Sequence, residues 1–205
     1  MTLSAWLDRL RGPRLDAPLF WVMDLETTGL RPDQDHVISV AAVPIREGII
    51  RYHERWVSLV RPPVDGALPG EGVRAHHLLP ADLAGAPSLT SVLLEIDARL
   101  REGVVVLHYA SLDLAFLREA YRAAGRPWLK PKVIDTIDLL LELHHRRHLL
   151  EPHPRPPRTA LAEARADLGL PPHESHDALS DALATAELFL VLRDRLAGQQ
   201  SAALR

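Results

Sequence analysis

Residues 19–30 read LFWVMDLETTGL, and this stretch decides the fold that the rest of the sequence supports. Its first five residues are all apolar, which is typical of a strand buried on both faces in the middle of a sheet. Asp24 and Glu26 follow directly, and Gly29 marks a turn. Because side chains alternate along a strand, both acids are expected on one side at its end, where an acid is tolerated mainly when it is paired or binds a metal.

The spacing of these two acids is weak evidence by itself. Acids two residues apart also occur at Asp33 and Asp35 and at Glu95 and Asp97. What distinguishes the first pair is its position at the end of an apolar strand. The other two pairs are predicted to be ordinary features of the composition.

The segments around this strand predict an α/β domain. Residues 36–45 and 49–60 are rich in β-branched and aromatic residues and flank a Glu-Gly turn, which is typical of a hairpin. A hairpin beside strands that alternate with helices indicates a three-layer domain with a mixed, five-stranded sheet flanked by helices. Further strands are predicted at 104–107 and 133–134, and helices at about 80–83, 88–101, 111–124, 136–148, 159–168 and 177–196.

Length and composition favour one domain. A chain of 205 residues, 47% of them hydrophobic, can bury one sizeable core. We expect an N-terminal extension at 1–17, the folded domain at 18–197 and a mobile tail at 198–205. The extension is predicted to contain a short helix that docks on the domain itself, with docking on a protein partner as the alternative.

Charge, cysteine content and hydropathy exclude several classes of protein. The formal net charge of -3 argues against a basic protein that coats nucleic acid, although a carboxylate site would add negative charge that bound cations offset. The chain has no cysteine, which excludes disulfides and thiolate metal sites. It also has no signal-peptide run and no stretch near the roughly 20 apolar residues of a membrane span. We therefore expect a soluble, cytoplasmic protein.

Two further segments supply acids that could join Asp24 and Glu26. Asp113 follows the apolar run VVVL and lies near the start of a predicted helix, where the helix dipole favours an acid whether or not it binds anything. Asp177 and Asp181 lie one turn apart at the start of the last helix. Asp177 suits a structural cap, whereas Asp181 lies too deep in the helix for that role.

These side chains suit hydrolysis of a phosphodiester with divalent cations. Carboxylates from distant segments are preferred ligands of Mg²⁺ and Mn²⁺, and zinc is less natural here. Two such ions roughly 3.5–4 Å apart would stabilise the attacking and leaving oxygens of an in-line displacement at phosphorus. His176 could remove the proton from the attacking water, because the unperturbed pKa of histidine is about 6.5.

Four motifs, in order, resemble the DnaQ-like DEDDh 3′→5′ exonucleases, the family of the exonuclease domain of the bacterial DNA polymerase III epsilon subunit. DLETTGL, VLHYASLDLAFL and HDALSDALATA are similar to its first, second and third exonuclease motifs. AHHLLPADLAGAP resembles the segment between the first two. The similarity spans about 20–189 and implies a ribonuclease-H-like fold.

The resemblance also implies the composition of a metal site. Asp24, Glu26, Asp113 and Asp181 would hold two divalent cations, Mg²⁺ or Mn²⁺, and His176 would be the general base.

Substrate contacts are implied in the same way. Thr27 and Leu30 would contact the 3′-terminal nucleotide, although either could be an ordinary turn or core residue, and His76 stands where the family has its usual histidine. Tyr109 replaces the family's usual asparagine, and its ring could stack on a base unless it is a core aromatic. The replacement affects the expected substrate preference more than the expected metal binding.

The resulting hypothesis is an enzyme that removes nucleoside monophosphates from single-stranded 3′ ends, preferably of DNA. An RNA-trimming or oligoribonucleotide-degrading enzyme of the same family is the alternative. A non-catalytic nucleic-acid-binding module is less favoured, because it would have no need of four gathered carboxylates. The short segment after the last helix favours repair or nucleic-acid turnover over replicative proofreading.

Overall fold

A computed structural model describes residues 15–63, 78–148 and 155–203. Within these ranges the strands are β1 (Leu19–Thr27), β2 (Val37–Arg46), β3 (Ile49–Ile50), β4 (Trp56–Leu59), β5 (Val104–Leu107) and β6 (Val133–Asp135). The helices are α1 (Pro80–Ala84), α2 (Leu89–Glu102), α3 (Ala110–Ala123), α4 (Thr136–His148), α5 (Leu161–Asp167) and α6 (Ala178–Ala203), with a 3-10 helix at Tyr52–Glu54. No helix in these ranges is both long and apolar enough to cross a membrane.

The six strands form one mixed sheet with β1 at its centre. The order is β3-β2-β1-β5-β6, and β4 also pairs with β2. β1 runs antiparallel to β2 and parallel to β5, and β5 runs parallel to β6. The carboxyl ends of β1 and β5 therefore meet at the same edge of the sheet, where the segments that follow them can share a site.

The sheet has six strands, so the expected count of five is wrong. The predicted strand at 49–60 is interrupted by the 3-10 helix and pairs with β2 as two short pieces, β3 and β4. The break lies opposite Pro44, which has no N–H to donate to the ladder. The Pro44 carbonyl still accepts a hydrogen bond from the backbone N–H of Arg51 at 2.9 Å.

Side-chain alternation along β1 builds a core on each face of the sheet. Leu19, Trp21 and Met23 pack with residues of α2 and α3. Phe20 and Val22 pack on the opposite face with residues of α4, α5 and α6. This arrangement confirms the predicted three layers. The same alternation places Asp24 and Glu26 on the α6 side.

Small residues bring the start of α6 close to the sheet. Ala41 of β2 clusters with Ala178 and Ala182 of α6. In the register of the sheet Ala41 is also the partner of Asp24 on β1. Because Ala178 and Ala182 lie one turn apart on either side of Asp181, this contact brings Asp181 towards the end of β1.

Several element ends differ from the sequence prediction. β1 continues to Thr27, so Asp24 and Glu26 lie within the strand and not after it. α6 continues to Ala203, beyond the predicted end at 196. Most of the N-terminal extension, residues 1–14, and His76 lie outside the described residues.

Arg165 on α5 is a buried cation that ties together the elements around the end of the chain. It is 2% exposed. Its guanidinium donates to the carbonyl of Ala184 on α6 at 2.6 Å and to that of Pro171 at 2.9 Å, and it pairs with Glu187 at 2.7 Å. One side chain thus joins α5, the loop before α6, and α6.

Replacing Arg165 by Met should lower the free energy of unfolding by about 2–4 kcal/mol, because two carbonyls and a carboxylate lose their donor. Urea denaturation followed by circular dichroism measures this. Arg158 is the matched control: it is half exposed and pairs with Asp167, so Arg158→Met should cost much less than Arg165→Met, because solvent screens the pair. Equal losses from the two substitutions would contradict a special role for the buried network.

Candidate active site

Three carboxylates from two distant segments meet at the end of β1. Asp24, Glu26 and Asp181 each offer an oxygen, and these oxygens all lie within 4.8 Å of one another. All three residues are partly buried. Such close approach of like charges is costly unless protons or cations neutralise them.

The electrostatics of the three acids show this cost. Burial, followed by the charges of Asp113, Asp181, Glu26 and Asp177, raises the pKa of Asp24 well above its usual value. Burial, with the charges of Asp181 and Asp177, also raises the pKa of Glu26 to about 7. Near neutral pH the site therefore favours uptake of positive charge.

Asp113 adjoins the same group from α3. Its pKa is raised to about 8, first by burial and also by the charges of Asp135 and Glu26, while a backbone hydrogen bond acts in the opposite direction. Asp113 also contributes to the raised pKa of Asp24. Asp113 lies outside the group of three close carboxylates, but it interacts electrostatically with Asp24 and with Glu26.

The backbone that leads to Asp113 is shaped by Asp135, at the end of β6. The Asp135 carboxylate accepts hydrogen bonds from the backbone N–H groups of Tyr109 at 3.1 Å and Ala110 at 2.8 Å. Tyr109 has a left-handed backbone with a φ of 63°. Such a conformation is strained for a residue other than glycine, and the two hydrogen bonds to Asp135 help to hold it. Sequence reasoning did not identify this role of Asp135.

Tyr109 is held at the surface beside this site. Its side chain is 48% exposed, so it is not a core aromatic. The Tyr109 hydroxyl hydrogen-bonds with the hydroxyl of Thr159 at 2.8 Å, and its ring lies edge-on to that of His108. His108 in turn contacts the Thr159 carbonyl at 2.9 Å. The ring therefore has a defined position from which it can meet a ligand.

His176 precedes α6 and is exposed, with a left-handed φ of 68°. Its backbone N–H donates to Oδ2 of Asp181 at 2.7 Å. The side chain of Asp177 accepts the backbone N–H of Ser180 at 2.8 Å, which confirms Asp177 as a helix cap. Asp181 is therefore bonded to the backbone of a histidine that is exposed to solvent.

His173 was not identified from the sequence, yet its side chain touches Asp181. Its Nε2 lies 2.8 Å from Oδ1 of Asp181. The sequence contains two histidines in HESH, but it does not show which of the two rings faces Asp181. The structure separates the two histidines, since one ring is buried against Asp181 and the other residue is exposed.

The turn after β1 presents Leu30 to solvent. Leu30 is 76% exposed, and the hydroxyl of Thr27 donates to the carbonyl of Gly29 at 2.6 Å. A Cβ added to Gly29 would lie 2.5 Å from Oδ2 of Asp35. A larger residue at position 29 would therefore have to displace the Asp35 carboxylate, which adds a packing reason for glycine to the turn that the sequence predicted. Leu30 is not a core residue.

The two other acid pairs of the sequence have structural roles. Asp35 accepts the backbone N–H of Arg31 at 2.8 Å and holds the turn after β1. Asp97 is buried on α2, where it accepts hydrogen bonds from Tyr121 and Arg126. Both observations agree with the expectation that spacing alone does not make a site.

The donor set fits hard divalent cations. Every predicted ligand is a carboxylate, and oxygen ligands are those preferred by Mg²⁺ and Mn²⁺. The raised pKa values of Glu26 and Asp113 show that negative charge here lacks compensation from the protein. Asp24, Glu26 and Asp181 lie close enough together to hold one such ion.

Comparison with known proteins agrees with this geometry. The family model of the RNase T exonucleases matches residues 21–189. The chain belongs to this exonuclease family. Its similarity to the PolC-type DNA polymerase III of Thermotoga petrophila is 32% identity over 174 residues, which is 83% of this chain and 12% of that protein. The DNA polymerase III epsilon subunit of Aquifex aeolicus is 29% identical, over 92% of this chain and 86% of the relative.

The fold is also that of a known exonuclease. E. coli Exonuclease I in complex with a dA16 oligonucleotide matches 88% of this chain and 42% of its own, with a TM-score of 0.74 and 17% identity. This likeness confirms the predicted ribonuclease-H-like fold. The chain spans only about a tenth of the length of the PolC-type relatives.

The acid cluster predicts an unusual dependence of stability on pH. The folded-state pKa values of Glu26 and Asp113, about 7 and about 8, lie above their usual values of 4.5 and 3.8. Between the usual pKa of each group and its folded-state pKa, the native state binds more protons than the unfolded chain. With a chelator present, the free energy of unfolding should therefore fall by roughly a few kcal/mol as the pH rises from about 4 to 8. Urea titrations at several pH values measure the slope, and excess Mn²⁺ should flatten it.

Removing one of the gathered charges tests the same idea. In chelator at pH 8, Asp24→Asn should be more stable than the parent by about 1–3 kcal/mol, because a buried like charge is lost. Asp33→Asn is the matched control, since Asp33 is exposed and outside the cluster. A parent protein whose stability rises over this pH range would contradict the assignment.

Proposed function

We propose that this domain is a metal-dependent 3′→5′ exonuclease that releases nucleoside monophosphates from single-stranded 3′ ends, preferably of DNA. The observation that carries the proposal is the approach of the Asp24, Glu26 and Asp181 oxygens to within 4.8 Å of one another. Asp113 stands beside them and adds a fourth charge. Membership of the exonuclease family supports the reaction class.

Two divalent cations, Mg²⁺ or Mn²⁺, are the proposed cofactors. When bound, they would stabilise the charge that develops on the attacking and leaving oxygens during displacement at phosphorus. The protein's own contribution is to hold four carboxylates from β1, α3 and α6 in one place before substrate arrives. That rigidity comes from the sheet register and from the alanine contact between β2 and α6.

His176 is the proposed general base. His176 is exposed, and its backbone N–H donates a hydrogen bond to Asp181. Its side chain therefore starts from backbone next to the acids and is not part of the core. An exposed imidazole can take a proton from the attacking water and return it to solvent near neutral pH. The left-handed backbone at this position directs the loop and would have to be preserved in any test of the side chain.

Leu30 and Tyr109 are the proposed contacts with substrate, together with Thr27. Both larger side chains are exposed apolar groups beside the acids, where a base could cover them. Tyr109 is restrained by its hydroxyl bond to Thr159, so a base can stack on its ring without first ordering it. His76, outside the described residues, remains a predicted contact.

Support for DNA over RNA comes from relatives. Several similar proteins are named as DNA polymerase III chains, and E. coli Exonuclease I was solved with a DNA oligonucleotide. An RNA-trimming or oligoribonucleotide-degrading enzyme of the same family is the second candidate, because Tyr109 stands where the family usually has asparagine and changes the surface that would meet the substrate. A role in DNA repair in the cytoplasm and a protein partner at residues 1–17 are further proposals.

The direct test uses 5′-labelled single-stranded DNA and RNA. With Mg²⁺ or Mn²⁺ we expect a ladder of products that shortens from the 3′ end, and none with chelator. Asp181→Asn and His176→Asn should each reduce the rate by about 10²-fold or more, because a ligand or the base is removed. Asn is chosen at 176 because it tolerates a left-handed backbone.

Asp33→Asn is the control and should cleave like the parent. Retention of full activity by either site variant would contradict the proposed chemistry. Comparison of the DNA and RNA rates of the parent decides between the two candidate enzymes. Binding of oligonucleotides without any cleavage in Mg²⁺ or Mn²⁺ would instead support a non-catalytic module.

The role of Tyr109 can be tested separately from the chemistry. Tyr109→Leu should raise KM for single-stranded DNA about tenfold with little change in kcat, because a stacked base is worth about 1–3 kcal/mol. Tyr109→Phe keeps the ring but loses the hydroxyl contact with Thr159 that restrains it, so KM should rise less than in Tyr109→Leu. If Leu and Phe give the same KM as Tyr, the ring does not bind substrate.

A further inference from the structure

The ring of His173 is buried directly against the carboxylate of Asp181. Its Nε2 lies 2.8 Å from Oδ1, and the two side chains are only 8% and 13% exposed. A carboxylate only accepts hydrogen bonds, so the ring nitrogen must carry the hydrogen. The contact is a short, largely desolvated hydrogen bond to an acid of the triplet.

Together with the backbone, His173 fixes both oxygens of Asp181. Oδ1 accepts from the ring of His173, and Oδ2 accepts from the backbone N–H of His176 at 2.7 Å. Two donors on two oxygens determine the plane of the carboxylate as well as its position. Each oxygen has a further lone pair, and one oxygen of Asp181 lies within 4.8 Å of oxygens of Asp24 and Glu26.

The loop that carries His173 is itself anchored. Arg165 donates to the carbonyl of Pro171, two residues before His173, and also to that of Ala184 on α6, three residues after Asp181. The same buried cation therefore restrains the chain on both sides of the hydrogen bond. This leaves little freedom for His173 and Asp181 to separate.

The other ring nitrogen argues against a role in packing alone. Nδ1 of His173 is buried and has no hydrogen-bond partner in the part of the chain that the structure describes. A buried polar atom without a partner costs free energy, and an apolar side chain would avoid that cost. What an imidazole adds at this position is its bond to Asp181.

We propose that His173 is a positioning residue that orients the Asp181 carboxylate for binding a divalent cation. This inference rests on the metal site of the proposed function. His173 acts through Asp181, whereas His176 acts on the attacking water. Ligating carboxylates are commonly oriented by such hydrogen bonds, and loss of one typically weakens metal binding about 10–100-fold.

The experiment measures Mn²⁺ binding to the metal-free protein by calorimetry, in the absence of nucleic acid. His173→Leu should weaken Mn²⁺ binding at least about tenfold. His173→Gln, whose amide nitrogen can reach the position of Nε2, should stay within about threefold of the parent, whereas the shorter His173→Asn should resemble Leu. Thermal unfolding in chelator checks that each variant is folded.

Two further histidines serve as controls. His53 is 77% exposed on the 3-10 helix, and His53→Gln should bind Mn²⁺ as the parent does. His176→Asn should also keep the Mn²⁺ affinity, because its backbone N–H remains, although it loses activity. His173→Leu should regain much of its nuclease activity when Mn²⁺ is raised, and His176→Asn should not.

The outcomes separate this inference from the proposed function. If the parent shortens DNA but His173→Leu and His173→Asn bind Mn²⁺ like the parent, His173 does not position Asp181 and the nuclease proposal stands. If His173→Leu fails to fold, the other two variants decide: weaker Mn²⁺ binding by His173→Asn than by His173→Gln supports the proposal, and equal binding contradicts it. A parent that binds Mn²⁺ but cleaves no nucleic acid overturns the proposed function alone, and a parent that binds no Mn²⁺ overturns both.

Discussion

Repulsion among four gathered carboxylates is the constraint on which the rest of this structure depends. Asp24, Glu26 and Asp181 approach within 4.8 Å, and Asp113 adds its charge from a neighbouring helix. Without cations such a group would separate or take up protons, as the raised pKa values of Asp24, Glu26 and Asp113 show. The surrounding fold must therefore hold them by packing and by hydrogen bonds, because their mutual electrostatics oppose the arrangement in the absence of cations.

The holding forces come from features that look unrelated in the sequence. The alanines of β2 and α6 allow a close approach that larger side chains would prevent. Arg165 ties the loop before α6 to the helix, and Asp135 caps the loop before α3. Strained left-handed backbone precedes both Asp113 and Asp181, at Tyr109 and His176. The gathered charges and the strained backbone lower stability at the site, and apolar burial in the two cores on either face of β1 compensates for that loss.

In the proposed function, exposed apolar side chains near the acids would connect metal binding with substrate binding. Leu30 follows β1 and Tyr109 precedes α3, so each is set by the same segment that supplies an acid. A shift of either segment would alter metal binding and substrate contact together.

The sequence by itself determined the layers and the order of helices and strands, because apolar periodicity and strand alternation are local properties. It also proposed Asp24, Glu26 and Asp181 as site residues, and the structure brings their oxygens within 4.8 Å of one another. It could not show that Pro44 lies opposite a break in the hairpin strand, since that depends on pairing register. It also could not show that the ring of His173, three residues before His176, lies against Asp181. Tertiary structure decided that His173 contacts Asp181 while His176 stays exposed, because the direction of each ring depends on a loop that Arg165 anchors from a different helix.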